Sequence, residues 1–208
     1  MLVKYILTIL IFAFIAAGGI YFWHKNFSDN ISTETSGNST STIQTYRSER
    51  GGFEFGYDPA IVTVASESQD QHWRNESADP GTLWAMAVLP REFEPKTNFS
   101  EARLIVGSSL NSVSLNNCMK EENGMQKIGT ETMNGTNFTV FKGGGAGAGN
   151  FYDVTGYRTM RAGQCYSVEF MIHTTNIGNY PPEMGIKEFD KGKVLDVLGG
   201  MLQSFKFL

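Results

Sequence analysis

Tyr5 to Trp23 reads YILTILIFAFIAAGGIYFW, nineteen residues without a charge. At 1.5 Å per residue a helix of that length covers roughly 28 Å, close to the bilayer hydrocarbon thickness of about 30 Å. Tyr5 stands at one end and Tyr21, Phe22 and Trp23 at the other, where amphipathic rings favour the headgroup layer. A core helix of this length would show a polar face, and only Thr8 interrupts the run. The reading is a membrane-spanning anchor over residues 1–25, contacting the bilayer through residues 5–23. A cleaved signal peptide is the rival, because Ala16 and Gly18 have the small-residue spacing that a signal peptidase accepts. Apolar residues continue to Trp23, past the usual secretory core, so an uncleaved anchor is favoured. No cysteine lies near the segment to carry a lipid.

Orientation rests on little charge, since Lys4 faces Lys25 across the span. The N-terminal stub is short and the segment after the helix has an extracytoplasmic composition. The expected arrangement is a single-pass protein of the cell membrane, with its N-terminus cytoplasmic and the rest extracytoplasmic. From Asn26 to Thr45, ten of twenty residues are Ser or Thr, with Phe27, Ile31 and Ile43 the only large apolar groups. Such a run buries too little surface to offset ordering entropy, and residues 26–45 read as a disordered linker. Beyond residue 25 there are 15 basic against 21 acidic residues, a net charge of −6. That balance excludes nucleic acid as a partner.

Residues 46–208 carry the folded domain. Phe53, Phe55 and Tyr57 alternate with Glu54 and Gly56, the period of a half-buried strand. Asp58-Pro59 turns the chain into a second strand at Ile61, Val62 and Val64. Leu83–Leu89 is a continuous apolar run that reads as a central strand, and Leu104–Val106 is another. Thr130–Met133 and Asn137–Phe141 flank Asn134-Gly135, a hairpin turn signal. Phe151–Met160 and Gln164–His173 flank Arg161-Ala162-Gly163, a second hairpin. In the last of these strands Cys165, Val168, Phe170 and Ile172 alternate imperfectly. Near the end, Val194, Val197, Leu198, Met201, Leu202 and Phe205 form one helical stripe, and SFKFL then returns to a strand period. Gly199 and Gly200 would let this helix lie close to a sheet. The fold class is α+β: an antiparallel sheet of about six or more strands with a C-terminal helix packed on it, preceded by one transmembrane helix.

The opening strand ending in Tyr-x-Pro (GFEFGYDP) and the closing helix running into SFKF resemble the PsbP-like fold. Bacterial members are often membrane-anchored, and the resemblance covers both ends of the domain. It implies no catalytic residues, and none are assigned: catalytic, cofactor-binding and metal-binding sets are all empty.

Gly143–Gly149 (GGGAGAG) lacks the Gly-Lys-Ser/Thr and following helix of a phosphate loop, and reads as a long flexible hairpin loop. His24, His72 and His173 have no zinc spacing among them. Trp73, Trp84, Phe93, Phe99, Tyr152, Tyr157, Tyr166 and Tyr180 are either core or the lining of a groove for peptide or glycan. Cys118 and Cys165 are the only cysteines, both in the part placed outside, and are expected to form a disulfide. Two buried free thiols are the alternative. The leading function is a non-enzymatic module that binds or organises an envelope protein, peptide or glycan. The second is an envelope hydrolase assembled from scattered residues, marked by His173 in a pocket beside a carboxylate. Mass spectrometry of the protein extracted from its membrane should return the intact N-terminus; a chain beginning near Gly19 would show cleavage.

Overall fold

The computed structural model describes residues 42–68, 73–74, 80–122 and 124–208. The anchor (residues 1–25) and the linker up to residue 41 lie outside the described residues, as does His72. No helix among the described residues is long and apolar enough to cross a membrane.

Among the described residues ten strands form two antiparallel sheets. β1 (Gln44–Ser48), β2 (Phe53–Tyr57) and β10 (Lys206–Phe207) make a small sheet in the order β1-β2-β10. The large sheet has seven strands in the order β3-β4-β5-β9-β8-β7-β6. These are β3 (Thr63–Ser68), β4 (Thr82–Pro90), β5 (Phe99–Ser109), β6 (Gln126–Met133), β7 (Thr136–Gly147), β8 (Asn150–Arg161) and β9 (Gln164–Thr175). Two α-helices accompany them among the described residues, α1 (Ser112–Asn117) and α2 (Lys191–Ser204).

β6 to β9 follow one another through two-residue turns. Asn134-Gly135, Ala148-Gly149 and Ala162-Gly163 all take positive φ at both positions, the type I′ geometry whose twist matches the flanking strands. The second hairpin therefore turns on two residues, with Arg161 already in β8 and paired to Gln164. The strand expected at Ile61–Val64 begins at Thr63, because Ile61 and Val62 donate their N–H groups to the Asp58 carbonyl and close a turn. Gln44 and Thr45 belong to β1, opposite Tyr57 and Gly56, so ladder pairing reaches two residues into the stretch read as linker.

One correction concerns the glycine run. Gly143–Gly147 is the second half of β7, paired residue by residue with Asn150–Val154, and only Ala148-Gly149 forms the turn. Side-chain periodicity is blind to a strand made of glycine, since period two is read from side chains.

The large sheet has two distinct faces. On the first lie Ala85, Ala87 and Leu89 of β4, Ala102, Leu104 and Val106 of β5, and Tyr166, Val168, Phe170 and Ile172 of β9. Val194, Leu198, Met201 and Leu202 of α2, with Phe53, Phe55 and Phe205, close over them and form the main core. α2 is capped at both ends. The Asp190 carboxylate accepts from Lys193 N, and Asn134 Nδ2 donates to the Gln203 and Phe205 carbonyls at 2.9 and 2.7 Å. Gly199 and Gly200 have open space where a Cβ would stand, so they do not bring the helix close to a sheet.

The two segments that carry the family resemblance meet: Phe207 pairs with Phe53 and Lys206 with Glu54.

Cys118 and Cys165 are joined, with Cα atoms 5.7 Å apart. Cys165 breaks the alternation of β9 because it lies with Ser167, Glu169 and Met171 on the second face. The bridge closes 47 positions of chain, which restricts the unfolded state and contributes about 4 kcal/mol. Replacing both cysteines by alanine should lower the denaturant-derived unfolding free energy by about that amount. An unchanged midpoint would show that the bridge does not constrain the unfolded chain.

Candidate functional site

The second face of the large sheet holds the feature that simple core packing does not account for. Glu169 lies in the middle of β9 between Val168 and Phe170, and period two turns it away from the main core. Arg158 of β8 points to the same side, two residues from Gly156, which stands opposite Glu169. A Cβ at Gly156 would come within 3.1 Å of the Glu169 carboxylate, so glycine leaves room for it.

Two segments cover this face. Trp73 and Arg74 cross above β5, where the Trp73 carbonyl approaches so close that a Cβ at Gly107 would sit 1.9 Å from it. The chain after α1 crosses above β7 and β8. It is pinned by the disulfide at Cys118 and by a short bridge between Glu122 and Met125. Beside it Met125, Phe141, Val154 and Met171 form a small apolar cluster.

Between these covers sit two arginines and two glutamates. Arg158 and Arg74 are each 2% exposed, Glu169 is 1% exposed, and Glu122 stands at the solvent edge at 20%. Arg158 Nη1 donates to Glu122 Oε1 at 3.2 Å and to the Lys120 carbonyl at 3.4 Å. Arg74 Nη2 pairs with the same Glu122 oxygen. Glu169 accepts from the Ser167 hydroxyl at 3.1 Å, and its Oε1 lies 3.9 Å from Arg158 Nη2. Each guanidinium also lies over a ring, Arg158 over Phe141 at 4.3 Å and Arg74 over Trp73 at 4.9 Å. Burial, then the neighbouring Arg74 charge, lower the Arg158 pKa to about 10, and Arg158 remains cationic at neutral pH.

Four buried nitrogens of this group have no hydrogen-bond partner among the described residues: Trp73 Nε1, Arg74 Nε and Nη1, and Arg158 Nε. All are donors. No buried side-chain acceptor among the described residues is left in that condition.

Of the residues singled out in the sequence, Trp73, Cys118 and Cys165 belong to this face, and the others fall elsewhere. Trp73, Trp84, Phe99, Tyr157 and Tyr166 are buried, and only Phe93, Tyr152 and Tyr180 keep partial exposure, so the eight aromatics do not line one groove. Trp84 Nε1 donates to Ser108 and Tyr166 OH to the Gly51 carbonyl, as buried polar tips require. His173 stacks on Tyr152 with ring centroids 4.6 Å apart, and its Nε2 lies 2.9 Å from Asn150 Oδ1, an amide oxygen. Glu101, its cross-strand neighbour, pairs with Arg103. No group of three or more His, Cys, Asp or Glu among the described residues is arranged to hold a metal ion.

The charged cluster escaped the sequence reading because its members come from four separate stretches. One local signal existed: Glu169 interrupts an apolar strand run (YSVEFMI), which places a charge on a covered face.

Removing Arg158 should take one guanidinium from beside buried Glu169 and from Glu122. Arg158→Met is expected to cost about 3–5 kcal/mol in chemical unfolding. Arg103→Met, at the partly exposed Glu101 pair, should cost about 1 kcal/mol or less. Equal losses would show that the buried cluster is not a coupled unit. No protein-family model matches this chain, and no curated protein is significantly similar to it.

Proposed function

We propose that this chain is a membrane-tethered extracytoplasmic module that binds a partner at the cell envelope and performs no chemistry on it. The observation that carries this reading is the Cys118–Cys165 bridge, because disulfides persist in oxidising compartments and are rare in the reducing cytosol. The nineteen-residue uncharged run at Tyr5–Trp23 supplies the anchor, with the N-terminus on the cytoplasmic side. The partner in this reading is an envelope protein, peptide or glycan. Kinship with PsbP-like proteins belongs to the same proposal, supported by the aromatic opening strand and the closing SFKF segment that pairs with it.

The arrangement around His173 supports binding over hydrolysis. A general base needs an orienting acceptor that strengthens its basicity, usually a carboxylate. Here the amide of Asn150 occupies one ring nitrogen and Tyr152 covers a ring face, while the nearest cross-strand carboxylate is engaged by Arg103.

Thiol alkylation of the protein isolated from its native membrane tests the location. Because both sulfurs are buried, the protein is unfolded in denaturant first; a bulky maleimide should then label no cysteine until a reductant is added, and two afterwards. Labelling of two cysteines without reductant would overturn the extracytoplasmic placement.

A further inference from the structure

We infer that Arg74 and Arg158 form a carboxylate-binding site, in which Glu122 is a resident occupant that an external carboxylate displaces. The inference rests on the reading of the chain as a binding module and names the chemistry its second sheet face takes.

Both guanidiniums converge on one oxygen of Glu122, so they lie side by side. Each guanidinium lies against an aromatic ring, Arg158 over Phe141 and Arg74 over Trp73. Paired, ring-backed guanidiniums with unspent N–H groups match the two-point geometry of a carboxylate. Glu122 satisfies that geometry only in part. On Arg74, Nε lies on the same edge of the guanidinium as the Nη2 that Glu122 engages, and it has no partner. Arg74 Nη1, Arg158 Nε and Trp73 Nε1 are equally unspent and buried. Buried donors of this kind are rarely left unpaired, and an unpaired set consisting only of donors calls for a ligand that only accepts.

Charge favours exchange over addition. The cluster holds two cations and two carboxylates, so a fifth charged group would leave an uncompensated buried charge. Replacing Glu122 by another carboxylate keeps the balance. Of the four groups Glu122 is the one at the solvent edge, while Glu169 is buried and holds the Ser167 hydroxyl. Glu122 also sits on a covering segment, where a side chain turns out to water without disturbing a strand ladder.

The test uses the full chain in detergent and reads thermal unfolding of wild type and Glu122→Ala. Acetate and chloride are compared at equal ionic strength. Acetate should raise the midpoint of Glu122→Ala by about 3 °C over chloride, and that of wild type by less, because Glu122 competes. Adding Arg158→Met to Glu122→Ala should abolish the difference. Should Glu122→Ala fail to fold, Glu122→Gln keeps the side-chain volume and serves in its place. Triglycine and triglycine amide separate the sources of the ligand. A response to triglycine that exceeds acetate and is lost in the amide assigns the carboxylate to a chain end, and a larger acetate response assigns it to a small molecule. Identical midpoints in acetate and chloride, or a response that survives Arg158→Met, would overturn the site. Free thiols in native membranes together with an acetate response would defeat the location while leaving the site standing.

Discussion

Everything in the large sheet depends on β9 being covered on both sides. Its even-numbered residues from Tyr166 to Ile172 press into the aromatic and aliphatic core under α2. Its odd-numbered residues from Cys165 to Met171 face the second layer, which is a disulfide, a hydroxyl, a carboxylate and a thioether in succession. Strands β5 and β8 flank it along most of its length. A strand in this position cannot present a polar face to water, so each polar group it carries must find its partner inside the protein. Arg158, Arg74 and Ser167 are the partners for Glu169 and Glu122, and their arrangement follows from that requirement.

The two faces are stabilised by different physics. The first is hydrophobic burial on a large scale, in which each of Phe53, Phe55, Phe205 and Leu198 contributes about 1.5–3 kcal/mol on leaving water. The second has a small apolar cluster and depends on charge pairing, the covalent bridge and close backbone approach. Gly107 and Gly81 illustrate the last of these: a side chain at either position would collide with Trp73. Buried ion pairs recover their desolvation cost only in good geometry.

Much of the scaffold was legible in the sequence, for reasons that particular residues make plain. Phe53 and Phe55 announced β2 through strict alternation. Asn134-Gly135 announced its turn because both residues accept positive φ, and the stripe from Val194 to Phe205 announced α2. The pairing of Cys118 with Cys165 followed from there being two cysteines in the chain. What stayed hidden was whatever a side-chain pattern does not encode. Gly143–Gly147 carries a single methyl group, at Ala146, and so has nothing to alternate. Arg74, Glu122, Arg158 and Glu169 are brought together by strand order alone, with Arg74 and Glu169 ninety-five positions apart in the chain. The aromatic residues were legible as large and apolar but not as core or groove, because burial depends on which layer covers them.

The disulfide bears on the speed of assembly as well as on the finished fold. The pairing of β5 with β9 is the non-local step of the large sheet, since β6 to β9 meet through two-residue turns. In an open chain Ser109 must find Cys165 across 56 positions. Once Cys118 is joined to Cys165, the contour between those points is nine positions from Ser109 to Cys118 and a covalent bond. Loop closure grows costlier with the logarithm of contour length, so the shortcut is worth roughly a tenfold gain in encounter probability. An oxidised chain therefore carries the register of its slowest ladder with it, and a reduced chain must search for that register unaided.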